Sequence, residues 1–182
     1  MSTLTRTRLD DFLADPLIEE RRLELIDGEV CEKPMPTWGH GRRAGDLYAA
    51  LNEVGFASVE ARAVIARTRD FDASAPIPDV AFYRTEPPAD SEWMRIPPHV
   101  AVEVLSPGQS RTEMRTKVEL YRQFGVESVW VIDPERRVAD IYEGGERRTL
   151  GEDDVITSSS APGFAMQLRD VLDGRRRRAG SR

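Results

Sequence analysis

The stretch His99 to Asp133, HVAVEVLSPGQSRTEMRTKVELYRQFGVESVWVID, decides the fold. Val100 to Leu105 is a short apolar run rich in β-branched valine, bounded by turn residues, and reads as a strand. Ser106-Pro107-Gly108 turns the chain. From Ser110 to Phe124 the apolar residues recur at helical spacing, and Gly125 stands where a left-handed cap closes a helix. Ser128 to Asp133 is apolar again and reads as a second strand. One crossover helix set between strands implies a mixed sheet flanked by helices, an α/β architecture.

Working outward, Leu23-Glu24-Leu25-Ile26, then Asp27-Gly28, then Glu29-Val30 predict a hairpin, because a type I′ turn needs positive φ at both central positions. A short helix is expected over Arg8 to Leu13, and a longer one over His40 to Val54 with Leu47, Leu51 and Val54 on one face. Further strands are expected over Phe56 to Arg67 and Asp79 to Tyr83. After Asp133 the pattern predicts a turn at Pro134-Glu135, a strand over Arg137 to Tyr142, a turn at Gly144-Gly145 into a last short strand near Arg148, a meander through Val155 and Ile156, and a closing helix over Met166 to Leu172. There is no internal repeat and no domain-separating linker. One domain over 1–174 is therefore expected, with an arginine-rich tail over 175–182 that reads as solvated and disordered.

Composition narrows the chemistry. The 182 residues suit one domain of ordinary size. The apolar runs are too short to span a bilayer, and MSTLTRTRLDDFL lacks the uninterrupted apolar core of a secretion signal, so a cytoplasmic protein with no membrane partner is expected. A single cysteine, Cys31, excludes an internal disulfide and a cysteine-based zinc site. Two histidines, His40 and His99, argue against a histidine-rich site. Oxygen ligands, and so a hard cation such as Mg2+, with Mn2+ as its substitute, are what the chain still offers. The formal charge of −6 opposes promiscuous nucleic-acid binding without excluding a local basic groove.

Of the 26 cationic side chains only Lys33 and Lys117 are lysine. At 100° per residue Lys117 falls in the middle of the stripe made by Met114, Leu120, Tyr121 and Phe124, so its ammonium points inward and needs a partner. Glu103 is the one carboxylate of an apolar strand, on the face shared with Ala101 and Leu105, and needs a partner as well. Asp79 follows Ile77-Pro78 and taken alone fits a turn or cap. Taken together, Asp79 and Glu103 at neighbouring strand ends, with the Val104 carbonyl, form a ligand set for Mg2+, and Lys117 supplies a compact cation to orient water and offset charge on a phosphate. Glu113, one helical turn before Lys117, is placed to hold the amine or to form an ordinary exposed pair.

Pro78-Asp79 followed by Glu103-Val104-Leu105 resembles the core of the PD-(D/E)XK nuclease superfamily, with Leu105 in the motif's lysine slot. The run from Glu103 to Pro134, together with the LELIDGEV hairpin and the histidine beyond it, resembles the Uma-two family of restriction endonucleases, in which the lysine lies on the helix after the strand. The likeness covers Leu23 to Tyr142. It implies a restriction-endonuclease-like sheet and a Mg2+-dependent endonuclease acting on DNA, with Asp79 and Glu103 as metal ligands and Lys117 as catalytic lysine. A homodimer is compatible with it. Glu24 is offered as a further acidic group, although an ordinary hairpin glutamate is the simpler reading. His40 is offered as a phosphate contact, with a capping or surface histidine as the simpler reading. Glu113 stands where aspartate is expected, and Ser128-Val129 replaces a more aromatic pair. The competing functions are a non-catalytic binding module on the same fold and a small phosphoester hydrolase.

Overall fold

The computed structural model describes residues 6–88, 93–109 and 111–174, so the tail over 175–182 and the expected helix start at Ser110 lie outside the described residues. The elements run α1 (Leu9–Leu13), β1 (Leu23–Ile26), β2 (Glu29–Glu32), α2 (Trp38–Leu51), β3 (Phe56–Val59), β4 (Val80–Tyr83), β5 (Val100–Val104) and α3 (Arg111–Phe124). They continue with β6 (Ser128–Asp133), β7 (Val138–Glu143), β8 (Glu146–Gly151), β9 (Val155–Thr157), β10 (Ala165–Gln167) and α4 (Leu168–Asp173). Strands β3 to β8 form one six-stranded sheet in chain order. Its only parallel pair is β5 with β6, joined by α3, and its other neighbours are antiparallel. The crossover stretch therefore makes the sheet mixed, as its reading requires.

Alternation along β5 sorts its side chains between two cores. Val100, Val102 and Val104 pack with Trp130 and Ile132 against Ala44, Leu47 and Leu51 of α2 and Leu168 and Val171 of α4. Ala101 lies on the opposite face with Val129 and Val131, covered by Met114, Val118 and Tyr121 of α3. Leu120 leaves that stripe to pack with Ala63 and Ile65. Each such large side chain taken out of water contributes about 1.5–3 kcal/mol, so the two layers hold β5 and α3 in fixed relation. Glu103 and Lys117 lie on the α3 side of the sheet, and both are buried.

The β1–β2 hairpin turns through Asp27 (φ 50°) and Gly28 (φ 78°), the two left-handed positions of a type I′ turn. Helix α2 starts two residues earlier than its apolar pattern suggests because Thr37 caps it, its side-chain oxygen accepting from the His40 N–H at 3.2 Å. The strand expected over Phe56 to Arg67 ends at Val59. Glu60 there adopts φ 49°, and the Arg22 guanidinium holds its carboxylate in a fork at 2.5 and 2.7 Å. Beyond this break only isolated bridges remain, Ala63 to Met94 and Ile65 to Ser74. Met166 belongs to β10, paired with Ile156 of β9, and the last helix begins at Leu168.

Candidate active site

Three carboxylates and two ammonium groups meet where the hairpin, the end of β5 and the inner face of α3 come together. Asp79 immediately precedes β4 and donates its backbone N–H to the Val102 carbonyl at 3.0 Å, so the sheet fixes its Cα. Its side chain is 1% exposed. Oδ2 accepts from the Val104 N–H at 2.6 Å, tying the carboxylate to the end of β5. Oδ1 accepts from Lys33 Nζ at 2.6 Å and lies 3.1 Å from His40 Nε2.

Glu103 sits one strand position from Val104. Its Oε1 accepts from Lys117 Nζ at 3.0 Å and from the Tyr121 hydroxyl at 2.7 Å. Lys117 and Tyr121 are one helical turn apart on α3, so one helix face grips the carboxylate twice. The other side of Lys117 Nζ meets Glu24 Oε1 of β1 at 2.9 Å, and that oxygen also accepts from the Ile77 N–H at 2.6 Å. Glu24 is thus no ordinary hairpin glutamate. It is 4% exposed, in a strand whose first three residues are all buried, so both faces of β1 are covered there.

The electrostatics follow from this sharing. Burial favours neutral Lys117, but Glu103 and Glu24 outweigh it and hold its pKa well above that of an ordinary lysine. Lys117 therefore stays a cation and does not act as a base. Burial pushes Glu103 up against the pull of Lys117, since one ammonium serves two carboxylates. Burial also pushes Asp79 up, yet the His40 hydrogen bond and the charge of Lys33 prevail and hold it well below the usual carboxylate range. The Tyr121 hydroxyl is raised well above its ordinary value by burial and by Glu103, so it stays a donor.

Of the site residues expected from the sequence, Asp79, Glu103, Lys117, Val104, Glu24 and His40 lie at this junction, while Glu113 is exposed on α3. Asp79, Glu103, Lys117 and Val104 are joined as described, with the Val104 N–H serving Asp79. His40 is buried and bridges Asp79 and Ser106, whose Oγ lies 3.2 Å from His40 Nδ1, so it is neither a surface nor a merely capping histidine. Glu113 lines a cavity of about 580 Å³ whose wall also includes Glu24, Lys117, Ser106 and Gly108. The sequence pattern does not mark Lys33 or Tyr121 as site residues. The rarity that singles out Lys117 applies equally to Lys33, but a loop position just before Pro34 and Pro36 offers no periodicity to show which way a side chain points.

A hard cation suits the donor set. The buried carboxylates are oxygen donors, and Glu24, Asp79 and Glu103 outnumber the two buried ammoniums by one. Among the described residues, however, no group of three or more His, Cys, Asp or Glu side chains is already arranged around an ion position.

The family model described as Uma2, "Putative restriction endonuclease", matches residues 9–169. The chain belongs to the Uma2 family. Among solved structures, a "putative nuclease belonging to DUF820" from Anabaena variabilis ATCC 29413 superposes with a TM-score of 0.79. The pair shares 23% identity over 92% of this chain and 98% of the other. That likeness establishes the fold, and no curated protein matches the chain. Uma2 membership and a nuclease-like fold together point to a nuclease. No helix among the described residues is long and apolar enough to cross a membrane.

Proposed function

We propose that this Uma2 protein is a cytoplasmic metal-dependent endonuclease that hydrolyses phosphodiester bonds, with DNA as substrate. The observation that carries the reading is Lys117: a buried ammonium, kept charged between Glu24 and Glu103, on the wall of an open cavity. Asp79, Glu103 and the Val104 carbonyl are the groups that would hold Mg2+ or Mn2+. Such an ion, when bound, acidifies a coordinated water and offsets charge on the scissile phosphate.

The protein's own groups do the remainder. Lys117 faces the charge that develops on the phosphate in the transition state, in a setting shielded from water where a fixed cation acts most strongly. Glu24 and Glu103 fix the position of that ammonium, so little reorganisation is needed as charge builds. Tyr121 holds Glu103 in one rotamer by its 2.7 Å bond. His40, between Ser106 and Asp79, ties the loop after β5 to the carboxylate and lies within reach of a phosphate entering beside that loop.

A second reading has one observation in its favour. Asp27, Glu29, Glu32 and Glu113 line the cavity with Glu24, and Lys117 is its sole lining cation among the described residues. A wall of that sign repels a long polyanion more than a small phosphoester. The test is to offer supercoiled plasmid, single-stranded DNA, RNA and nucleoside monophosphates with Mg2+, with Mn2+ and with EDTA. The endonuclease reading expects nicked plasmid that EDTA abolishes. Phosphate released from nucleotides with plasmid intact would select the small phosphoesterase, and absence of both metal binding and cleavage would select a binding module.

A further inference from the structure

Lys33 is a buried charged group at the site that the proposed chemistry leaves unused. It follows β2, its backbone N–H is held by the Arg22 carbonyl at 2.9 Å, and its side chain is 7% exposed. Nζ reaches two acceptors, the Ile77 carbonyl at 2.7 Å and Asp79 Oδ1 at 2.6 Å. Asp79 is thereby nearly saturated. A carboxylate offers about four lone-pair sites, and Lys33, His40 and the Val104 N–H take three of them. An ion bonded to Oδ1 and an ammonium 2.6 Å from the same oxygen compete for its electrons and repel one another.

We propose that Lys33 is a built-in competitor for the divalent cation: its ammonium sits on the Asp79 oxygen in the ion-free protein and moves off it when the ion binds. This deepens the metal-dependent reading and rests on it. Counting buried carboxylates and ammoniums, the cluster stands at three against two with Lys33 in place and at three against one without it. Removing Lys33 therefore deepens the negative well into which the cation falls. The competition also supplies a reason for lysine at this position. An ammonium on a flexible stem can swing aside, whereas a guanidinium fork holds carboxylates in a rigid bidentate grip. Retaining the Ile77 carbonyl gives the displaced ammonium one partner, so its release from Asp79 leaves it no orphan.

The test is direct binding of Mn2+ by calorimetry, without nucleic acid, to the full chain carrying Lys33→Gln, Lys33→Met or Lys33→Arg. The Gln variant keeps a hydrogen-bond donor for Asp79 and guards against a folding defect in the Met variant. A urea melt of each verifies the fold. Competition predicts that Lys33→Gln binds Mn2+ at least tenfold more tightly than the parent, with Lys33→Arg equal to the parent or weaker. Equal or weaker binding by a folded Lys33→Gln protein, with the parent still binding, would overturn the proposal while leaving the metal-dependent reading intact. No Mn2+ binding by either protein would overturn both.

Discussion

Replacing Lys117 with methionine removes one charge from a position where two others depend on it. The variant would leave Glu24 and Glu103 buried at 4% and 2% exposure with no ammonium between them. Each keeps one donor, Glu24 the Ile77 N–H at 2.6 Å and Glu103 the Tyr121 hydroxyl at 2.7 Å. Breaking a buried pair from one side costs about 3–5 kcal/mol, and the retained donors place this case near about 3 kcal/mol at pH 7.5. The cost should depend on pH in a definite direction. Burial already raises the Glu103 carboxyl, and loss of Lys117 raises it further. A raised carboxyl favours the folded state while protonated, and that contribution is lost as pH climbs from about 4.5 through the folded-state pKa. In the parent, Lys117 remains charged over this whole window, because its folded pKa lies above that of free lysine. The difference in unfolding free energy between parent and Lys117→Met should therefore shrink from pH 7.5 to pH 5. Urea melts at both pH values, followed by the fluorescence of buried Trp130, measure it. A difference below about 1 kcal/mol, the same at both pH values, would refute the shared-ammonium account, since an exposed pair contributes no more than that.

Two further outcomes follow from the same electrostatics. Asp79 has a depressed folded pKa, so its contribution is present above about pH 4 and is lost as pH falls below that. Acid titration of the parent should show this limb, and Asp79→Asn should flatten it even though the variant is less stable at neutral pH. Cys31 is an exposed residue of β2 whose thiol lies on the cavity wall, and partial desolvation there first, then Glu24, push the thiol up to about 11. That lowers its thiolate fraction roughly a hundredfold, so iodoacetamide should label it about that much more slowly than a free thiol. Labelling at the rate of a free thiol would show that the thiol is neither desolvated nor held in a negative field at the cavity wall.

The elements that were legible in the sequence are those with a strong local signal. The crossover was readable because β5, α3 and β6 differ in period and are separated by Pro107, Gly108 and Gly125. The hairpin was readable because Asp27-Gly28 has one well-suited turn. Glu103 and Lys117 were readable because each is a charge in an apolar pattern, and only a partner makes such a burial tolerable. The limits of β3 were not readable, because Glu60 leaves the sheet through a contact with Arg22, 38 residues away in sequence. Lys33 was hidden for the opposite reason. Its inward direction is imposed by the pairing of Lys33 with Arg22 and by Asp79 across the fold, and nothing beside it in sequence carries that information. Glu24 and His40 have ordinary local explanations, and only the tertiary arrangement makes them members of the charge cluster.

The central claim is that Asp79, Glu103 and Lys117 act on a phosphodiester bond as one unit. Its most direct test is the rate at which supercoiled plasmid is nicked with Mn2+ present by the parent and by Asp79→Ala, Glu103→Ala and Lys117→Met, each first shown to be folded. The account predicts nicking by the parent and none above background by any of the three. Nicking at the parent's rate by all three folded variants would show that the cluster is structural and that any cleavage occurs elsewhere.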